Sequence, residues 1–249
     1  MSESKMKIGI IGAMDIEVEY LKQQLDSAES ELLYGREYCS GTICGVPVVV
    51  AMCGDGKVNA AMCATVLVDR FGVTHLINTG VAGSLDARID IGDLVLSTQS
   101  VHHDMDITGL GYAPGQVPSV DTLMFPADDQ MRQAAREAAA AVAPEAHVFE
   151  GVVATGDYFV DDPTDKDRIV NTFGALCCEM EGAAIAHVCY LAQVPVLILR
   201  VISDKADGSS TMDYPTFKHV AAERCANITE HMIRRIAQSE DAFGTSSQR

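Results

Sequence analysis

The residues best suited to chemistry lie where a long apolar run ends. Val194 to Leu199 is almost unbroken in its apolar character and rich in branched side chains, which is typical of a central strand covered on both faces. Arg200, Ser203 and Asp204 follow directly. A charged Arg beside a buried strand is costly unless it meets an anion, and ligands of open α/β sheets bind beyond the carboxyl ends of the strands. These three residues are therefore predicted to belong to a site, although an Arg–Asp pair that only ends a strand remains an alternative.

Two further carboxylates lie at the start of predicted helices. Lys7 to Ile11 reads as a short buried strand, and helical spacing from Asp15 to Leu25 places Glu17 in a first turn, where the helix dipole favours negative charge. Glu181 follows the segment Cys177 to Met180 and precedes a helix of small residues, Ala183 to Tyr190. From the residues alone, Glu17 could also be a surface charge and Glu181 a charge at a helix N-terminus.

Neither a dinucleotide nor a metal ion is predicted. Gly9 and Gly12 do not form the GxGxxG fingerprint of NAD-binding turns. The run from His102 to Asp106 superficially resembles a metal cluster, but its imidazoles and carboxylates are adjacent along the chain. On a strand or loop, adjacent side chains point apart rather than converging on one ion.

Composition restricts the partners and the compartment. The 249-residue chain has a formal net charge of -17, which disfavours nucleic acid and anionic membrane surfaces but allows a small nucleoside. No apolar run approaches the roughly 18 residues of a membrane span. The eight cysteines form no CxxC pair, so reduced thiols in a cytoplasmic protein are expected.

Predicted strands and helices alternate along the chain, which favours one α/β domain over residues 6–238 with a polar tail over residues 239–249. Tyr38 to Ile43 and Val46 to Met52 are predicted to form a hairpin. Leu76 to Asn78 is predicted as a strand that ends in a loop of small residues, Thr79 to Gly83. That loop either lets backbone amides approach a ligand or is only a tight turn.

Seven motifs together resemble one enzyme family. They are KIGIIGAMDIEVE, GKVNAA, INTGVAG, the HDxDxTxxGY run from His103, TGDYFV, EMEGAAIAHV and RVISDKAD, and they cover residues 6 to about 236 in order. In this respect the chain is similar to the 5′-methylthioadenosine/S-adenosylhomocysteine nucleosidases of the wider nucleoside phosphorylase family. The resemblance implies a three-layer α/β/α domain with a central mixed, mainly parallel sheet, no cofactor, and a homodimer in which the loop from His103 to Pro118 completes the partner's pocket.

The resemblance also implies hydrolysis of the N-glycosidic bond of 5′-thio-substituted adenosines. Asp204, held by Ser203, would protonate N7 of adenine, and Glu17, with Arg200 nearby, would activate the attacking water. Chemistry supports this division of tasks, because adenine anion is a poor leaving group and an oxocarbenium-like sugar can be attacked from the opposite face. Glu181 would hold the ribose hydroxyls.

Further residues are assigned to substrate binding by the same resemblance. Met180 would lie against the sugar, Phe159 would stack on adenine, and the backbone of Val160 would read the edge of the base. Apolar walls for the 5′ substituent would come from Ile107, Tyr112 and Tyr214. The remaining substrate-binding residues implied are Met14, Asp55, Val81, Ala82, Gly83 and Glu179.

Several positions depart from the family's usual pattern. Val81 stands where Ser or Thr is common, Gly182 takes the place of an alanine, and Leu110 replaces a frequent Phe. Asp55 stands where the family usually has Ile, in the pocket for the 5′ substituent. Two roles are open for Asp55: contact with a substituent that carries an ammonium, or a cap on the helix that begins at Lys57.

Three other functions remain as alternatives. A phosphorolytic relative would need cationic side chains and N–H donors for phosphate, whereas the N-terminal loop offers Asp15 and Glu17. A non-catalytic nucleoside-binding protein would have no need of a water-activating carboxylate. A hydrolase of an adenine-bearing futalosine-type nucleoside would share all the catalytic residues.

Overall fold

A computed structural model describes residues 6–206 and 210–238, so the predicted polar tail lies outside the described residues. Ten strands in this part of the chain join one sheet, and most of them follow the apolar runs of the sequence. The strands are β1 (Ile8–Gly12), β2 (Asp26–Leu33), β3 (Arg36–Ile43), β4 (Val46–Met52), β5 (His75–Ser84), β6 (Leu94–His102), β7 (Phe125–Pro126), β8 (Val148–Thr155), β9 (Ala175–Glu179) and β10 (Val196–Asp204).

Five of these strands close into a ring. Strand β5 pairs with β10 and β9, β10 pairs with β6, and β8 joins β6 to β9. Outside the ring, β1 pairs with β5, and the sheet continues from β1 to β4, then β3, and ends at the edge strand β2. The expected mixed sheet is confirmed. Its described pairings divide equally between five parallel and five antiparallel. Two antiparallel pairs, β5–β9 and β10–β6, close the ring, and the other three are β2–β3, β3–β4 and β6–β7.

Within the described residues, six α-helices pack around the sheet. They are α1 (Asp15–Gln23), α2 (Lys57–Asp69), α3 (Asp129–Val142), α4 (Pro163–Phe173), α5 (Gly182–Ala192) and α6 (Ser210–Gln238). Helices α2 and α5 contribute to one buried apolar cluster, and α1, α3 and α6 contribute to another. The two clusters take alternate residues of the strands, as Ile10 and Ile11 of β1 show, so the sheet lies between two helical layers.

One predicted loop is part of a strand. The expectation of a loop or tight turn over Thr79 to Gly83 was wrong, because β5 continues to Ser84. These residues pair with Leu199 to Asp204 of β10, and Gly83 also pairs with Cys178 of β9. The lack of bulky side chains allows backbone and buried charges to approach β5 closely at its carboxyl end.

A further difference concerns a polar segment. Strand β2 was not predicted, because its side chains are mostly exposed and it shows no regular alternation of polar and apolar residues. The closing helix, α6, begins at Ser210 and continues through Pro215 to Gln238. The hairpin of β3 and β4 is confirmed.

All eight cysteines lie within the described residues, and none of them forms a disulfide. Seven are buried, whereas Cys44, between β3 and β4, is exposed. Across residues 6–206 and 210–238, no helix is both long and apolar enough to cross a membrane.

Candidate active site

A cavity of about 240 Å³ opens beside the end of the central strands. Its walls come from the segments after β1, β4 and β8, from the ends of β5, β9 and β10, and from the start of α6. The lining residues are Ala13, Met14, Glu17, Asp55, Val81, Ala82, Gly83, Tyr158, Phe159, Val160, Cys178, Glu179, Met180, Glu181, Ser203, Asp204 and Tyr214. Sequence reasoning did not select Ala13, Tyr158 and Cys178, although each is adjacent or close in sequence to a residue that it did select.

Glu17 is not a surface charge, since only 3% of the residue is exposed. Its Oε2 accepts hydrogen bonds from the backbone amides of Ala13, at 2.7 Å, and Met14, at 3.0 Å. Its Oε1 accepts from the amide of Val81 at 3.1 Å. Burial raises the pKa of Glu17, although Arg200 and these three amides act in the opposite direction. The result is a fixed carboxylate with an increased affinity for a proton.

Arg200 meets the anion that its buried position requires. Its Nη2 donates to Glu179 Oε2 and, at 2.5 Å, to Asn78 Oδ1. Burial opposes the charge of Arg200, but the surrounding carboxylates, Glu179 first, raise its pKa above the usual range. Arg200 does not line the cavity and lies behind it, against Gly80 and close to Glu17.

Glu179 lines the cavity, and its carboxylate accepts hydrogen bonds from several donors. Besides Arg200, the Thr155 hydroxyl and the amides of Glu181, at 3.0 Å, and Gly182, at 2.6 Å, donate to it. A Cβ on Gly182 would lie 2.8 Å from Ile198 Cδ1 and 3.0 Å from Glu179 Oε1. A side chain at this position would therefore be crowded by both neighbours.

Glu181 precedes the first residue of α5, but its carboxylate does not cap that helix. Its Oε1 instead accepts from the amide of Gly56, at the start of α2, at 2.8 Å. Burial, followed by the charge of Glu179, raises the pKa of Glu181 to about 8.

Asp204 ends β10 and has only 2% of its surface exposed. Ser203 Oγ donates to Asp204 Oδ2 at 3.0 Å, and the amide of Ala206 donates to Oδ1 at 3.1 Å. A Cβ on Gly83 would lie 2.8 Å from Asp204 Oδ1. The hydroxyl and the glycine thus orient the carboxyl group.

Aromatic side chains form another wall. The ring of Phe159 lies 5.7 Å from that of Tyr214, edge to face, and about half of Phe159 is exposed to the cavity side and solvent. The Tyr214 hydroxyl donates to Met14 Sδ at 3.1 Å. Burial, followed by the charges of the neighbouring carboxylates Glu17 and Asp55, raises the pKa of Tyr214 to about 12.

Ile107, Leu110 and Tyr112 do not line this cavity. They lie in the segment between β6 and β7, where 78% of Leu110 is exposed. The capping role considered for Asp55 was wrong: Gly56 precedes α2 without a side-chain cap, and the amide of Lys57 is bound by Asp157 Oδ1 at 2.8 Å.

The run from His102 to Asp106 has no common focus. The ring of His102 packs edge-on against Phe125 and His187, which stack on each other, and Asp104 forms an ion pair with Lys57 at 2.6 Å. In the described ranges, no three His, Cys, Asp or Glu side chains are grouped so that they could hold a metal ion.

Comparison with known proteins shows the superfamily of the chain and then the particular family within it. Residues 7–234 match the family model of the phosphorylase superfamily. A 5′-methylthioadenosine/S-adenosylhomocysteine nucleosidase of Shewanella denitrificans is 42% identical over 232 residues, which are 93% of this chain and 100% of the relative.

Solved structures agree with this result. The nucleosidase of the same name from Colwellia psychrerythraea, in complex with adenine, has a TM-score of 0.89 at 34% identity, covering 94% of this chain and 97% of that one. A futalosine hydrolase of Helicobacter pylori has a TM-score of 0.87 at 33% identity, covering 92% and 98%. The chain belongs to the phosphorylase superfamily and, within it, to the 5′-methylthioadenosine/S-adenosylhomocysteine nucleosidases.

Proposed function

We propose that the chain hydrolyses the N-glycosidic bond of 5′-methylthioadenosine and S-adenosylhomocysteine, releasing adenine and the corresponding thioribose. The observation that carries the proposal is the placement of two buried carboxyl groups, Glu17 and Asp204, on one cavity with different partners. Three backbone amides hold Glu17, whereas a hydroxyl and one amide hold Asp204. An acid and a base of one displacement need such distinct surroundings.

Asp204 is the proton donor in this proposal. As the bond between C1′ and N9 breaks, its electron pair moves into the adenine ring, and N7 takes the proton of the Asp204 carboxyl. Ser203 fixes the orientation of that carboxyl through its 3.0 Å hydrogen bond. Protonation turns a poor leaving group into neutral adenine.

Glu17 is the base. It accepts a proton from a water molecule whose oxygen forms the new bond to C1′ of the oxocarbenium-like sugar. Its raised pKa suits this task, because a more basic carboxylate takes a proton more readily. Arg200 acts from behind the cavity as a positioning residue, through its ion pair with Glu179 and its proximity to Glu17.

The remaining lining residues hold the substrate. Glu181 accepts hydrogen bonds from the ribose hydroxyls, Met180 lies against the sugar, and Phe159 stacks on adenine. The backbone of Val160 reads the edge of the base. This assignment is supported by the positions of all four residues on the same cavity.

We also propose a homodimer in the cytoplasm. Exposed apolar side chains, among them Leu110, support a partner that covers the segment from His103 to Pro118. In that dimer, Ile107 and Tyr112 would form the wall of the partner's pocket. The absence of disulfides among the eight cysteines suits a reducing compartment.

The test is adenine release in phosphate-free buffer from methylthioadenosine, S-adenosylhomocysteine and an adenine-bearing futalosine-type nucleoside. We expect free thioribose from the first two. Sugar 1-phosphate in phosphate buffer would replace hydrolysis with phosphorolysis. A marked preference for the third nucleoside would instead favour a futalosine hydrolase activity, as in the name of the similar Helicobacter pylori protein. If none of the three nucleosides releases adenine, the remaining function is that of a non-catalytic nucleoside-binding protein.

A further inference from the structure

Asp55 presents a carboxylate without a partner at the cavity. It is exposed and lines the cavity, and within residues 6–206 and 210–238 its side chain makes no hydrogen bond or ion pair. The nearby ammonium group of Lys57 does not neutralise it, because Lys57 Nζ lies 2.6 Å from Asp104 Oδ1 and 3.8 Å from Asp157 Oδ2.

The main chain around Asp55 is held from three sides. The amide of Gly54 donates to the carbonyl of Ala13 at 3.1 Å, and Asn59 Nδ2 donates to the carbonyl of Asp55 at 2.7 Å. The amide of Gly56 donates to Glu181. Asp55 is therefore presented from a fixed position, so little ordering is needed when a ligand binds.

These contacts locate Asp55 at the sugar end of the cavity. Its neighbour Gly56 binds Glu181, the residue assigned to the ribose hydroxyls, and Asp55 lines the cavity together with Tyr214, whose hydroxyl contacts Met14. Phe159 and Asp204, the residues assigned to the base, come from other segments of the same lining. Because Asp55 lines the cavity and is also exposed, a group that extends from the sugar toward solvent on this side would pass its carboxylate.

A cation lies in the same neighbourhood. Lys218, one helical turn after Tyr214 in α6, has its Nζ 5.4 Å from the centroid of the Tyr214 ring. In the part of the chain that the structure describes, this ammonium makes no hydrogen bond or ion pair. Asp55 and Tyr214 line the same cavity, and Lys218 lies over the ring of Tyr214. The carboxylate and the ammonium together match the two opposite charges of an amino-acid group.

Resting on the proposed function, we propose that Asp55 selects adenosines whose 5′ substituent carries an ammonium, and that Lys218 receives a carboxylate of the same substituent. The site would therefore favour a 5′-amino-acid thioether, the chemistry of S-adenosylhomocysteine, over a small neutral 5′-alkylthio group. An Ile at this position offers apolar contact alone, whereas Asp55 offers charge complementarity at the rim of the site.

The test compares three substrates: 5′-S-propylthioadenosine, its isostere 5′-S-(2-aminoethyl)thioadenosine, and S-adenosylhomocysteine. The first two differ in one ammonium group. Asp55→Asn should lower the ratio of kcat/KM for the aminoethyl substrate over the propyl substrate by about fivefold, the upper range for an exposed ion pair. Lys218→Met should lower S-adenosylhomocysteine relative to the aminoethyl substrate by a similar factor.

Asp69→Asn is the matched control. It removes the same charge from the other end of α2, where Asp69 is exposed, and should leave all ratios unchanged. Added salt should reduce the aminoethyl preference of the wild type but not that of Asp55→Asn. Adenine release from all substrates with ratios unaffected by Asp55→Asn would overturn this inference and leave the proposed function intact. If no substrate releases adenine, both this inference and the proposed function would be contradicted.

Discussion

At the scale of residues, Glu17, Glu181 and Asp204 have different immediate partners although they share one cavity. Glu17 has three backbone amides, Glu181 has one amide and a neighbouring like charge, and Asp204 has a hydroxyl and an amide. Proton affinity depends on such partners. The three carboxyl groups can therefore perform different tasks at one pH.

Replacing the proposed acid gives the first prediction. Asp204→Asn should lower kcat about 10²- to 10³-fold, because the amide has no proton of suitable acidity for N7. Substrate affinity should fall much less, as a substrate-binding measurement in the absence of turnover would show. Turnover near the wild-type rate would exclude Asp204 as the acid.

The raised pKa of Glu181 predicts a pH dependence of stability. Since the folded-state pKa of about 8 lies above the ordinary 4.5, folding favours the protonated form, and this contribution is lost as pH rises through that window. Glu181→Gln removes the titration but keeps an acceptor for the amide of Gly56. The free energy of unfolding of the variant, relative to wild type, should therefore increase between pH 5 and pH 8, on the order of 1 kcal/mol per pH unit.

Denaturant unfolding at several pH values measures this difference, and substrate affinity should decrease in the same variant. A difference that stays constant from pH 5 to pH 8 would mean that the carboxyl group is not strained by burial.

At the scale of elements, the apolar runs predicted the central strands well. Both β10, with its terminal Ser203 and Asp204, and the hairpin of β3 and β4 were predicted, because buried strands carry continuous branched side chains. Strand β2 escaped prediction, since an exposed edge strand has no such pattern. The carboxyl end of β5 was mistaken for a loop, because small residues there make room for charges that only the folded chain brings near.

The same reasoning applies to the site. The pairing of Arg200 with an anion followed from elementary electrostatics, whereas the burial of Glu17 did not follow from local sequence, which left a surface charge open. The identity of that anion, Glu179, could not be predicted, because it depends on how the ring brings β9 and β10 together. Likewise, the cap proposed for Asp55 failed, since the amides at the start of α2 are bound by Glu181 and Asp157, distant in sequence.

Gly80 of β5 tests the importance of this close packing. A Cβ there would lie 2.5 Å from Glu17 Oε1 and 3.1 Å from Arg200 Nη1. Gly80→Ala should displace Glu17 and lower kcat by at least tenfold, because small misplacements of a catalytic group are costly. Gly151→Ala in β8 is the control, since its Cβ would lie 2.5 Å from Leu176 Cδ1 outside the cavity.

Both variants should lose thermal stability, but only Gly80→Ala should lose activity. Equal loss of activity in the two variants, measured at a temperature where both are folded, would show that general strain and not the position of Glu17 is responsible.

At the scale of the whole molecule, apolar side chains remain exposed in two places relevant to assembly. Val58, near the start of α2, is 81% exposed, and Leu110, in the segment between β6 and β7, is 78% exposed. Sedimentation should therefore find a dimer at assay concentration, and Val58→Asp should shift it toward monomers with reduced activity. An active wild-type monomer would contradict the proposed completion of one pocket by the partner.

Because one cysteine is exposed and seven are buried, the reactivity of the thiols reports how often the folded chain opens. Seven thiols are buried, and burial raises the pKa of Cys63 and Cys189 to about 12, which suppresses the reactive thiolate. A thiol reagent should consume one group per chain, Cys44, at once, and the others only as the surrounding structure opens. The rate of the slow phase would then measure structural opening without any introduced label. Bound substrate should make this phase slower.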